Sequence, residues 1–134
     1  MRYTPYLLLL AFFLVVTSCT KEDDLSPAEL QRQIQGLKER IDEIIAASTG
    51  ETSEDCRTVY IPGGNHCGPI YVYGVGGIDT LELEGLFKEL SHAQTELYAL
   101  EGGPACDLAS PAKDSLINGK CTACFGSEGN FECN

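Results

Sequence analysis

The sequence predicts an α+β fold: an N-terminal signal helix and an amphipathic helix, then a small disulfide-stapled domain with a β-hairpin, one long helix and a C-terminal hairpin. Three observations carry this. An apolar run at 6–16 ends in small residues and Cys19. Two capping patterns, led by Ser26 and Asp79, each open a stripe of apolar residues at helical spacing. Six further cysteines all fall beyond residue 55, among short runs of β-branched and aromatic residues. The chain divides accordingly at 1–18, 19–55 and 56–134.

Segment 6–16 is nearly unbroken Leu, Ala, Phe and Val, with Arg2 the only charge before it. At about eleven residues it has the length of a signal h-region, short of the roughly 20 that a membrane-spanning helix needs. Thr17 and Ser18 match the small residues of a processing site. The stretch Leu14-Val15-Val16-Thr17-Ser18-Cys19 resembles a bacterial lipobox. The resemblance implies a signal peptide at 1–18, cleavage between Ser18 and Cys19, and a lipid such as palmitate on Cys19. Each buried methylene of that lipid contributes about 0.8 kcal/mol, so several acyl chains tether the protein to a membrane. The net charge is -11, and loss of 1–18, whose only charge is Arg2, makes it more negative still. Nucleic acid and anionic headgroups are poor partners for such a chain.

Residues 19–55 read as a lipidated spacer. Lys21-Glu22-Asp23-Asp24 is a solvated acidic cluster. It is similar to the acidic residues that follow the lipidated cysteine in Bacteroidetes-type lipoproteins. That similarity implies a lipid-anchored protein of the outer membrane, on the cell surface or otherwise on its periplasmic face. Ser26-Pro27-Ala28-Glu29 predicts a helix start with a capping box. Leu30, Ile34, Leu37, Ile41 and Ile44 then recur at steps of four and three, the spacing of a coiled-coil seam. Two uses of this stripe stay open: a weak homo-oligomer through 27–47, or a helix lying on its own domain. Segment 49–55 (TGETSED) is polar and aperiodic, and reads as a mobile linker.

With Cys19 assigned to lipid, Cys56, Cys67, Cys106, Cys121, Cys124 and Cys133 form an even set. In an oxidising compartment such a set reads as a disulfide framework, because a core this small needs added constraint. The Cys121-x-x-Cys124 spacing leaves a zinc site, helped by His66 or His92, or a redox dithiol as less favoured readings.

Runs 57–61 (RTVYI) and 70–75 (IYVYGV) read as two antiparallel strands separated by Pro62-Gly63-Gly64-Asn65. Val59, Ile61, Ile70 and Val72 are expected on one face, leaving Tyr60, Tyr71 and Tyr73 on the other. Asp79, with Glu82 three positions on, opens the long helix. Its stripe is Leu83, Leu86, Phe87, Leu90, Ala93, Leu97 and Leu100, ended by Gly102-Gly103-Pro104. Asn118-Gly119 is a strong hairpin turn.

Cys56, ten residues, Cys67-Gly68-Pro69, a tyrosine-bearing strand, an acidic helix, Cys106-Asp107 and a closing Asn118-Gly119-Lys120-Cys121 together resemble a group of small exported bacterial lipoproteins. The resemblance spans about half the chain and implies no activity; the pattern departs in having one glycine after Cys67 and in its extra Cys124 and Cys133. If the two strands form a hairpin, the long helix runs from near Cys56 back toward Cys67 and delivers Cys106 beside it. The final hairpin, covering the remaining edge, then returns Cys121 toward Cys56. Cys124 and Cys133, outside the pattern, close a local loop. The expected bridges are therefore Cys56–Cys121, Cys67–Cys106 and Cys124–Cys133.

No nucleophile, base and carboxylate arrangement argues for an enzyme. No cofactor or metal is expected. The reading is a membrane-anchored binding module for an envelope protein or a glycan, with Tyr60, Tyr71 and Tyr73 as its contact surface. The alternative is a protease inhibitor that presents the disulfide-pinned loop 62–69.

Overall fold

The computed structural model describes residues 25–64, 67–105, 113–127 and 130–133. The elements are α1 (Pro27–Ala47), a 3-10 turn (Ser53–Asp55), β1 (Cys56–Tyr60), β2 (Ile70–Gly74), α2 (Thr80–Glu101), β3 (Lys113–Ile117), β4 (Lys120–Ser127) and β5 (Asn130–Cys133). The fold is α+β. Two small antiparallel sheets, β1-β2 and β3-β4-β5, accompany a helical hairpin.

α1 starts where the capping box predicts. Ser26 N–H donates to Glu29 Oε2 at 2.9 Å, and Glu29 N–H returns to Ser26 Oγ at 3.4 Å. The stripe then meets a partner: Leu30, Ile34, Leu37 and Ile41 are all buried, in one core with Leu83, Phe87, Leu90, Ala93 and Leu97 of α2. Gln31 Nε2 donates to Glu101 and Arg40 to Glu82, so the two helices run antiparallel. The expectation of an independent spacer is thereby corrected. α1 supplies one wall of the core, and the seam that would have served a homo-oligomer is occupied by α2 within the same chain.

Segment 48–55 is likewise no free linker. Thr49 and Gly76 exchange backbone hydrogen bonds at 2.9 Å in both directions, Gly74 N–H donates to the buried Ser48 Oγ, and Gly50 N–H donates to Gly119 O. Asp55 Oδ2 gathers the N–H groups of Glu51 and Thr52 at 2.9 and 2.8 Å. Those two donors hold the Asp55 carboxyl below its ordinary pKa, Thr52 first and Glu51 second. A lowered folded value means that this contribution is complete above the ordinary Asp pKa and is lost as pH falls through the folded value. Asp55→Asn is therefore expected to lower Tm at neutral pH, with the gap from wild type closing in acid. A gap independent of pH in thermal melts would rule out the carboxylate as its source.

Gly36 lies on the exposed side of α1, where a Cβ would meet nothing within 4 Å. Gly36→Ala is expected to raise stability by about 0.5–1 kcal/mol, through helix propensity alone. Urea titration checks this, and an unchanged or lower midpoint counts against it.

β1 and β2 pair as Arg57↔Tyr73, Thr58↔Val72, Val59↔Tyr71 and Tyr60↔Ile70. Directly opposed residues share a face, so Val59 sides with Tyr71 and Tyr73, and Tyr60 sides with Ile70 and Val72. The sequence reading had the opposite register, and a slip of one residue moves every side chain to the other face. The first of these faces packs on α2: Tyr71 and Tyr73 stand with ring centroids 5.4 and 5.9 Å from Phe87.

The Asn118-Gly119 turn forms with φ of 53° and 76°, the left-handed pair that a two-residue hairpin demands. β4 pairs with β3 through Ile117↔Lys120 and Leu116↔Cys121, then continues to pair with β5 through Cys124↔Cys133. This third strand was not foreseen, since NFEC is short, polar and without a β-branched residue.

Candidate functional site

The cysteines divide along the fold. Cys56 of β1 is bonded to Cys121 of β4 with Cα atoms 5.5 Å apart, tying the first sheet to the second. Cys124 is bonded to its cross-strand neighbour Cys133, Cα to Cα 4.0 Å. Cys67 is disulfide-bonded as well, and its expected partner Cys106 lies outside the described residues. The final hairpin, expected to cover the remaining edge of β1-β2, belongs to a separate sheet, β3-β4-β5, that the Cys56–Cys121 bridge joins to the first. Cys121 and Cys124 are three positions apart in a strand and so point to opposite faces. One metal or one redox dithiol would need both on one face. The zinc and redox readings of the spacing are corrected accordingly. Among the described residues no group of His, Cys, Asp or Glu is placed to hold a metal ion.

The expected tyrosine surface does not assemble. Tyr73 is buried and Tyr71 half-buried on the helix side, whereas Tyr60 is 49% exposed on the opposite side. Burial pushes both the Tyr71 and Tyr73 phenols above the ordinary tyrosine pKa; Asp42 adds to the first and Glu84 to the second. These two rings are core, not contact surface. The Tyr60 hydroxyl is engaged locally, accepting from Gly68 N–H at 3.3 Å.

Loop 62–69 is held against α2 along its first limb. Ser91 Oγ donates to Pro62 O at 2.7 Å, and Gly63 lies against the Tyr98 ring. At its base Ile61 N–H donates to Pro69 O at 3.0 Å. Gly68 passes so close that a Cβ would fall 1.6 Å from Ile61 O, which explains the Cys67-Gly68-Pro69 sequence. His66 lies outside the described residues. His92 is exposed on α2 beside Glu96, Nε2 to Oε1 3.2 Å.

Beside that loop, Gln94 of α2 is buried at 2% exposure, and its Oε1 has no hydrogen-bond partner among the described residues. An unsatisfied buried acceptor costs about 1–3 kcal/mol. Gln94→Met keeps the volume and removes the acceptor, so it is expected to gain about 1 kcal/mol in chemical denaturation. A loss of stability would show that the amide is bonded in solution.

A concave feature of the described surface lies where α1 ends and α2 begins. An open cleft of about 430 Å3 is lined by Arg40, Glu43, Ile44 and Ala47 from α1, and by Gly77, Ile78, Asp79 and Glu82 from the turn into α2. The α1 residues recur at helical spacing on one side of the helix, and the turn is fixed by Asp79. Its Oδ1 accepts from Leu81 and Glu82 N–H at 2.9 and 3.2 Å. Ile44, Ala47 and Ile78 are the apolar members of a lining that is otherwise mostly charged. The Arg40–Glu82 ion pair, 2.6 Å, bridges the helices at its rim. Both partners are solvent-exposed, so the pair positions more than it stabilises. The sequence reading missed this cleft, because its two walls are about 40 residues apart and each half reads as ordinary helix surface.

No family model, curated protein or solved structure matches this chain.

Proposed function

We propose that the chain is a lipid-anchored envelope protein, tethered through Cys19 at the outer membrane, that acts as a small binding module rather than as an enzyme. Its contact surface is the cleft between the end of α1 and the start of α2. The observation that carries this reading is the composition of that cleft: Ile44, Ala47 and Ile78 set among the charged Arg40, Glu43, Asp79 and Glu82. An open cleft of about 430 Å3 with apolar side chains set among charged ones can take the side chains of a peptide segment while its charges fix the direction. The disulfide-tied sheets and the helix hairpin keep the two walls at a fixed separation, which lowers the ordering cost of binding. The occupant is a segment of another envelope protein.

Two measurements test it. Mass spectrometry of the mature N-terminal peptide is expected to show acylated Cys19; an unmodified N-terminus removes the anchor. The soluble chain from Lys21 onward is then compared with its Ala47→Phe form in capture from envelope extracts. Ala47 is exposed and makes no core contact, so phenylalanine fills the cleft without loosening the fold. A species retained by the first and lost by the second supports the cleft. Identical capture profiles exclude it.

A further inference from the structure

Two large apolar side chains are exposed at the end of the helical hairpin opposite the cleft. Leu25, 43% exposed, directly precedes the Ser26 cap of α1, and Leu100, 61% exposed, sits in the last turn of α2. The Gln31–Glu101 hydrogen bond at 3.1 Å holds these two helix ends side by side. Leu100 was expected on the buried stripe, but only its partners as far as Leu97 reach the core.

We propose that this end of the hairpin rests on the lipid bilayer that holds Cys19, with Leu25 and Leu100 seated in the interface, a reading that depends on lipid attachment at Cys19. Chain length supplies the reason. Six residue steps separate Cys19 from Leu25, and an extended chain covers at most about 20 Å in that distance. The start of α1 is therefore held within reach of the headgroup layer, whereas the far end of a 21-residue helix stands about 30 Å further along. Exposed leucines beside an anchor point lower their free energy by entering the interface, and the tether keeps this end nearest to it, whereas the far end touches it only if the helix pair lies flat. The cleft and Leu81, 78% exposed at the start of α2, are thereby turned away from the membrane, where a partner can approach. Glu29 and Glu101 at the membrane end select an uncharged surface over an anionic one.

The native chain contains no tryptophan, so one introduced residue reports alone. Leu100→Trp, Leu25→Trp and Leu81→Trp chains, expressed at full length and purified from the envelope, are reconstituted with zwitterionic vesicles containing brominated acyl chains. Flotation with the vesicles reads the lipid anchor, and quenching reads depth. Severalfold stronger quenching at positions 100 and 25 than at 81 is expected. Flotation with equal quenching at all three positions overturns the orientation while leaving the anchor standing. Failure to float overturns the anchor, and the orientation with it.

Discussion

Replacing Cys56 and Cys121 together by alanine is expected to lower the stability of the domain by about 4 kcal/mol. The bridge closes a sequence separation of 65 residues, and the chain-entropy released to the unfolded state grows with that length. The nine-residue separation of Cys124–Cys133 gives about 2.5 kcal/mol by the same reasoning. There is also a structural consequence. Cys56 is a buried residue of β1, and its bond to Cys121 joins β4 covalently to the first sheet. Without it, segment 113–133 is expected to become the first site of proteolysis, while α1 and α2 stay packed. Equilibrium urea unfolding of the double variant, with peptide mapping after brief digestion, decides this. A midpoint shift no larger than that of the Cys124 and Cys133 pair would show that loop length does not control the effect.

Ile41→Ala is expected to cost about 3 kcal/mol, in the middle of the range for deleting a buried aliphatic side chain. Ile41 is fully buried among α2 residues, so no solvent-side relaxation can refill the space. A chain beginning at Thr49, which lacks α1 altogether, is expected not to fold. α1 contributes Leu30, Ile34, Leu37 and Ile41 to a core whose other large members come mostly from α2. Circular dichroism and denaturant titration check both forms. Cooperative unfolding of the shortened chain would restore the picture of an independent spacer followed by a self-sufficient domain.

Local features were legible in the residues themselves, because their causes lie within a few positions. The Ser26–Glu29 capping box, Asp79 as helix cap, and the left-handed Asn118-Gly119 turn each follow from short-range hydrogen bonding or backbone freedom. The pairing of Cys56 with Cys121 could be argued from element order, since a hairpin and a returning helix bring few ends together, and that of Cys124 with Cys133 from their closeness in sequence. The lipobox-like pattern of Leu14 to Cys19 is likewise local, and lies outside the described residues.

What required tertiary structure was every choice between two surfaces. The α1 stripe suits a second copy or a helix of its own chain equally well, and only the antiparallel packing on α2 selects the latter. Val59, Tyr60, Tyr71 and Tyr73 fit either strand register. Contact with Phe87 fixes the one that buries two tyrosines and splits the third away. The cleft exists only because the packed core brings the end of α1 beside the start of α2, with Arg40 and Glu82 meeting across its rim. Hydrophobic patterning states which side chains leave water and is silent on what they leave it for, because burial against any apolar surface is worth nearly the same per unit area.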